Sequence, residues 1–563
     1  MPKAATTFLL STVGTAAMLA LCCAGGAAAA DFPTTPKALT APAAGTSDSK
    51  ISAVGTSSGL VVAWNRSSGT SATILIQRFK DDGSAVGQPL QLDGPGFVEG
   101  LPTLVDLGRG KVGVVWKGPN ASFSPSLKGA VYDVATGKIG AITPVLASGA
   151  ASYIHDLALL KNGKVAVVTR SFATGGEDTT LIKLDGAMKP VGASRVVEDD
   201  VSGPFGAASY EQTVVANGSG GVAIFRASDS QLKGVPFDGA GKPGKQFQIN
   251  STTMPALDFF AFARFTVKAQ PISNGGYVVT WVAYDAGQQL RFDVYARVFD
   301  SKGKAVGKDF VVHRDVSGDQ AEPEIVAFDK GFGIGWHNVQ VVGGFATQRM
   351  RFFDPAGKPL SEDLVTERFG IDGPSEIAIP NNNTEHAVLP NGDFLKLFAA
   401  NGGIWGDRIA ALAVGTPKGD KLAAKAAAAT LLAREGSDEV KGGDGDDLID
   451  GGEDDDVIVA GAGADQIAPG GGNDTITGGP GADVFIFAPK GGKDTILDFQ
   501  SIDRVDASAF HYNGREDVVA AAKQVGKDVV ITLVDQTDPK GASATVRLKK
   551  YKLENFTSAN VIQ

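Results

Sequence analysis

From Gly442 to Ile486 the chain repeats itself every nine residues, and a degenerate copy starts at Ala433. Two columns never leave register. Asp438, Asp447, Asp456, Asp465, Asp474 and Asp483 form one; Val440, Ile449, Ile458, Ile467, Ile476 and Phe485 form the other. An apolar residue between polar or small ones is the mark of a strand with one buried face. A strand this short buries nothing alone, whereas a stack of such strands shares a core. A solvated Gly/Asp linker has no reason to keep an apolar column in phase. If nine residues make half a coil, positions 18 apart share an edge. Asp438, Asp456 and Asp474 then lie on one edge, and Asp447, Asp465 and Asp483 on the other.

Each edge would be a column of like charges, which repels without a cation. The glycines at Gly443, Gly445, Gly452, Gly461, Gly463, Gly470, Gly472, Gly479 and Gly481 allow positive φ and let turn carbonyls face inward. Carboxylates and carbonyls together are what the hard cation Ca²⁺ takes. Departures are few. Asp454 stands where a glycine belongs, and Asp tolerates the left-handed region. Ala460 and Pro469 replace the first glycine. The pattern resembles the calcium-binding nonapeptide, G-G-x-G-x-D-x-U-x, of RTX proteins. That resemblance implies a parallel β-roll, Ca²⁺ as cofactor, and these aspartates and glycines as its metal-binding turns. Beyond Phe485, Gly491–Phe499 and Asp503–Asp506 resemble the segment that closes RTX rolls. Asp494 and Asp498 are the further ligands it implies. Leu553–Phe556 and Val561–Ile562 resemble the carboxyl-terminal signal of type I secretion, which implies bacterial secretion machinery as a partner.

Residues 50–415 carry a second, longer repeat, with seven copies and a period of about 52–61 residues. A glycine leads a β-rich run that often ends in tryptophan, as in Gly59–Trp64, Gly110–Trp116, Gly276–Trp281 and Gly333–Trp336. A second run ends in an aromatic-Asp turn, as at Phe237-Asp238, Phe299-Asp300 and Phe353-Asp354. Each unit fits four short strands, so seven units suggest a seven-bladed β-propeller. A row of β-sandwich domains is the alternative. The tryptophans read as core between blades, with a sugar-stacking platform as the sharper reading. The aromatic-Asp turns read as hairpin turns, because they lack the acid density of a Ca²⁺ loop.

The expected class is therefore all-β: a propeller, then a calcium-binding parallel β-roll with a β cap. The segments are a signal peptide at 1–30, an extension at 31–49, the propeller at 50–415 and a linker at 416–432. The roll covers 433–510 and the cap or secretion signal 511–563. Lys3, the apolar run after it and Ala28–Ala30 give the amino terminus its secretory character. Cys22 and Cys23 are the only cysteines, so cleavage at Ala30 leaves no disulfide. Acids outnumber bases 18 to five between residues 434 and 510, while the whole chain carries −10. The acidity is thus a local cation site, and nothing marks a nucleic-acid footprint.

No H-E-x-x-H occurs. Asp285, Asp293, Glu322 and Glu324 are carboxylates that could pair, and His337 could face a propeller channel. The expected function is an extracellular calcium-binding protein whose roll folds on Ca²⁺ outside the cell. Its propeller would serve as a binding or adhesion module for a cell-surface, polysaccharide or protein ligand. The alternative is a secreted hydrolase or lyase with its active site in the channel.

Overall fold

A computed structural model describes residues 37–562, apart from 69–70, 94–101, 119–125, 147–154, 172–176, 201–211, 227–230, 252–266, 286–290, 315–318, 329, 340–345, 362, 366–383, 389–392, 401–402, 425–428 and 538–542. The expected signal peptide, 1–30, lies outside the described residues, as do Cys22 and Cys23. Among the described residues no helix is long and apolar enough to cross a membrane.

Six antiparallel blades come first, spanning residues 46–91, 103–146, 155–200, 212–248, 267–311 and 319–365. Five have four strands, and the second gains the two-residue strand Lys138–Ile139. Second strands such as Gly59–Ser68 are buried on both faces from Gly59 to Asn65. Their unbroken apolar runs follow from having a neighbouring blade on either side. Trp64, Trp116, Trp281 and Trp336 are at most 1% exposed, so they are core between blades and not a sugar platform. The aromatic-Asp turns are hairpin corners. Asp300 Oδ1 accepts the amides of Lys302 and Lys304, both at 2.9 Å, while Gly303 turns the chain at φ 77°. Asp185, Asp238 and Asp354 do the same.

The first strand of each blade lies beside the first strand of the next. Side chains at matching positions of the long repeat join some of these neighbours. Ser52 Oγ accepts the Leu104 amide at 3.2 Å, Asp156 accepts Thr213 Oγ1 at 2.6 Å, and Glu324 pairs with Lys268 at 2.9 Å.

Seven blades were expected from seven repeats; the structure has six. The seventh repeat makes the strands Thr384–Val388, Asp393–Ala400 and Gly403–Val414, and these open a ten-stranded sheet. Thr384–Val388 lies beside both Thr46–Thr56 and Asp319–Phe328. The strand Gly403–Val414 departs from the blade pattern because the next segment pairs with it in parallel, Ala411 to Ala429 through Val414 to Leu432. Near its start the same strand pairs with Lys37–Ala38. Thus the expected amino-terminal extension, 31–49, holds both this short strand and the start of Thr46–Thr56.

The chain then winds through five coils of parallel solenoid. One sheet stacks Lys421–Ala423, Glu439–Lys441, Val457–Val459, Thr475–Thr477 and Gly492–Ile496. The other continues the ten-stranded sheet through Ala429–Leu432, Leu448–Asp450, Gln466–Ala468, Val484–Ile486 and Arg504–Asp506. The segment 416–432, expected as a linker, therefore already contains the first coil. Its Pro/Lys/Ala composition hid Leu422 and Leu431, which pair in register with Val440 and Ile449.

The tail forms a helix, Arg515–Ala521, and an antiparallel group, Ala522–Val525, Asp528–Val534 and Ser543–Leu548, on the end of the first sheet. Val561–Ile562 adds to the second. Coils and tail share one apolar core.

Candidate metal centre: the aspartate columns of the roll

The roll places the two sequence columns as the 18-residue stacking arithmetic requires. Val440 pairs with Ile458 and Ile458 with Ile476; on the other sheet Ile449 pairs with Ile467 and Ile467 with Phe485. All six apolar residues of the column are fully buried. The aspartates sit just before each strand. Asp438, Asp456 and Asp474 line one edge, and Asp447, Asp465 and Asp483 the other, each at most 3% exposed.

One carboxylate oxygen of each acid is used within the stack. Asp456 Oδ1 accepts the Asp438 amide at 2.8 Å, and Asp474 Oδ1 accepts the Asp456 amide at 2.8 Å. On the opposite edge Asp465 accepts from Asp447 at 2.7 Å and Asp483 from Asp465 at 3.0 Å. The second oxygen is different. Oδ2 of Asp438, Asp456, Asp465, Asp474, Asp483 and Asp494 is buried and makes no hydrogen bond. A buried oxygen without a partner costs about 1–3 kcal/mol, more when charged. A row of them, each costly to ionise where it is buried, is a site built for something positive.

The protonation behaviour says the same. Burial pushes Asp456 up to about 8, over the opposing amide bond, with Asp474 and Asp438 adding like charge. Burial likewise lifts Asp465 and Asp494 to about 8 and Asp483 to about 7. Asp474 rises to about 6 for the same first cause.

The turns supply the remaining oxygens. Gly461, Gly463, Gly470, Gly472, Gly479 and Gly481 all have positive φ, as does Gly452. A Cβ on Gly481 would sit 1.5 Å from the Gly463 carbonyl oxygen, so the stacked turns approach backbone to backbone. Asp454, in a glycine's place, does adopt φ 79°. Gly443 and Gly445 face this stack through their carbonyls, 2.0 Å and 2.5 Å from where Cβ atoms on Gly461 and Gly463 would lie. Among the described residues no three His, Cys, Asp or Glu side chains converge to hold an ion by themselves. One carboxylate oxygen plus turn carbonyls is the donor set present. It suits a hard cation such as Ca²⁺, which accepts carbonyl and carboxylate oxygens alike.

Two flanking acids behave differently from each other. Asp494 continues the column, accepting the Asp474 amide at 3.1 Å. Asp498 does not; its two oxygens cap the amides of Gly478 and Gly479 at 3.0 and 2.9 Å. The acid missed in the sequence is Asp503. Its Oδ1 accepts the Asp483 amide at 3.1 Å and its Oδ2 the Gln500 amide at 2.7 Å, and burial raises it to about 6. Its signal was present: Asp494-Thr-Ile496 and Asp503-Arg-Val505 keep the Asp-x-apolar spacing after a two-residue insertion makes the step 20 instead of 18.

Residues 432–467 and 470–487 match the family described as the RTX calcium-binding nonapeptide repeat (4 copies). These coils are RTX repeats. The propeller region precedes them in the chain, and the repeats form a calcium-binding-type β-roll. No curated protein matches the chain. Among solved structures, the BP39L lectin from Burkholderia pseudomallei is 14% identical, with 64% of this chain and 98% of that one covered, at a TM-score of 0.39. A Dyadobacter fermentans protein of unknown function is 12% identical, covering 57% and 95%, at 0.35. The AlgE6R3 subunit of the Azotobacter vinelandii mannuronan C5-epimerase is 24% identical, covering 26% and 80%, at 0.20. Likenesses this loose assign no role to the propeller.

In the propeller the structure brings some of the candidate acids to histidines. Glu322 Oε2 lies 3.2 Å from His337 Nδ1, and Asp293 lies 3.4 Å from His313 Nε2. Glu324 pairs with Lys268, and burial raises its carboxyl above the usual range despite that partner. Glu322 stands at φ 55°, in a bulge of the strand Asp319–Phe328. The side chain of Asp285 lies outside the described residues. Lys50 adopts φ 52° in a matching bulge of the first blade, so this backbone feature belongs to the repeat.

Proposed function

We propose that this protein is an extracellular calcium-binding protein whose roll folds on Ca²⁺ and carries the propeller as a binding module. The observation that carries the reading is the row of buried, unpartnered aspartate Oδ2 atoms in stacked RTX turns. Asp438, Asp447, Asp456, Asp465, Asp474, Asp483 and Asp494 supply the carboxylates, and the glycine turns supply carbonyls. Asp503 continues the column with both its oxygens on backbone amides. Binding and folding are coupled, because the ion neutralises acids that the fold has already buried. Extracellular calcium modules bind at about 10⁻⁴–10⁻³ M, so such a roll stays unfolded inside a cell and folds outside it. Export by secretion machinery, through either the amino-terminal segment or the tail, fits this order of events.

We further read the seventh repeat as a seventh sector of the ring, since its first strand lies between the first strands of blades 1 and 6. The propeller's ligand is proposed to be a cell-surface, polysaccharide or protein surface. The second reading, a hydrolase or lyase, draws on Lys268, Glu322, Glu324 and His337 lying together at one end of blades 5 and 6. Calcium titration of the full chain by circular dichroism tests the main reading. Cooperative growth of β signal with Ca²⁺ is expected; an unchanged spectrum and no calorimetric heat would end it. For the second reading, turnover of a polysaccharide that is lost in Glu324→Gln would be needed.

A further inference from the structure

We infer that calcium loading of the roll closes the propeller ring, because the roll supplies the outer part of the last sector. The inference rests on the calcium-dependent folding proposed above and concerns what that folding does to the rest of the chain.

Three observations meet at one strand. Gly403–Val414 pairs through Trp405 and Gly406 with Lys37–Ala38, the described start of the chain. Through Ala411–Val414 it pairs with Ala429–Leu432, the first strand of its sheet in the roll. The amino-terminal closure and the roll thus stand on one strand. Thr40 reinforces the first junction: it accepts the Ile404 amide at 2.9 Å and donates to Asp48 at 2.6 Å, which Arg66 holds through two bonds.

The second observation concerns what covers blade 6. Blade 1 packs its apolar face on Leu395, Leu397 and Ile404 of the seventh repeat. The tryptophan face of blade 6 is already packed on blade 5; its opposite face, with Phe328, Met350, Phe352 and Leu360, packs on Leu432, Leu448 and Ala468 of the roll, with Val414 and Ile486 beside them. The seventh repeat pairs its third strand with Ala429–Leu432 of the roll, which leaves this part of blade 6 to the roll.

Third, the roll's two outer faces differ in the way this requires. Strands of the outward sheet present exposed residues such as Val457 and Val459, 48% and 38% exposed. At the same heights on the sheet facing blade 6, Leu448 and Ala468 are 2% and 1% exposed. Two contacts pin the rim: Lys358 pairs with Glu435, and Lys330 Nζ reaches the Val414 carbonyl at 2.5 Å.

An unfolded roll would therefore strip blade 6 of its apolar cover and leave the end of Gly403–Val414 an open sheet edge. The ring's last junction and the metal columns form one cooperative unit, and coupling of this kind is reciprocal.

Hydrogen exchange of the full chain, stripped with chelator and then given Ca²⁺, tests this. Exchange in residues 346–365 and 393–414 should slow by about tenfold or more together with the coils, while blades 2 to 4 stay unchanged. If the coils respond and those two segments do not, the inference falls and the calcium reading stands. If the coils do not respond, both fall. Leu360→Asp lies in the propeller, far in sequence from the acid columns. It should leave the coils responsive, abolish the response of 346–365 and raise the calcium midpoint by about threefold or more. A variant with an unshifted midpoint and a full response at 346–365 would remove the apolar seal as the carrier.

Discussion

Each column aspartate serves two roles through two atoms. Oδ1 ties one coil to the next, and Oδ2 is left buried and bare in all but Asp447, whose Oδ2 accepts the Gly443 amide. Asp456→Ala and Asp465→Ala should each raise the calcium concentration at the folding midpoint by about tenfold, roughly 1.4 kcal/mol of binding. Asp494→Ala should shift it comparably, and Asp498→Ala and Asp503→Ala much less, since both oxygens of each already accept backbone amides. Calorimetric titration of the five variants decides the ranking; an equal shift for Asp498→Ala would put that acid back among the ligands.

The same burial sets the sign of the pH dependence. A carboxyl whose folded pKa is raised binds more protons folded than unfolded, so stability falls as pH rises. With values of about 6 to 8 along the columns, the calcium-free roll should be folded near pH 5 and lose structure as pH passes 6 to 8. Calcium should reverse the trend, because protons and Ca²⁺ compete for the same oxygens. Circular dichroism at both pH values, with chelator and with Ca²⁺, checks it. A chelated roll equally folded at pH 5 and 8 would contradict the burial argument. The columns were legible residue by residue because each acid keeps its own nine-residue address. Asp503 was not, because an inserted pair of residues moved it off that address.

Strands of three residues survive here only by stacking, and at several turn glycines the stack leaves no room for a side chain. Gly481→Ala would drive a Cβ into the Gly463 carbonyl, so it should cost the roll about 2 kcal/mol or more. Gly186→Ala, with open space around it and no positive φ, should change stability by less than about 0.5 kcal/mol. Thermal unfolding in saturating Ca²⁺ separates the two; equal midpoints would deny the close approach of turns. Blade strands were readable from their glycine, apolar run and tryptophan. The first coil was not, because it keeps Asp420 before Lys421–Ala423 but few of the repeat's glycines, and Ala429 stands where the next aspartate belongs. Its place is fixed by pairing with the next coil.

Six blades, a shared seventh sheet and a roll make one continuous arrangement through Gly403–Val414. A fragment ending at Gly415 should therefore not behave as a finished propeller. It should bind a hydrophobic dye and self-associate through Phe328, Phe352 and Leu360, which the full chain covers. Light scattering and dye fluorescence of the two proteins provide the check; a monomeric, dye-silent fragment would show that the seventh repeat seals the ring unaided. The sequence alone determined the roll, its kind of repeat and the two edges, because a strict local period converts directly into neighbours in space. It also set the repeat count of the middle region and the buried tryptophans, through one apolar run per unit. Only tertiary structure decided that seven repeats make six blades, that the coil begins inside an apparent linker, and that one face of the roll covers blade 6. Those outcomes depend on which edge and which face remain free after all the other strands have paired, and no local pattern in the chain records that.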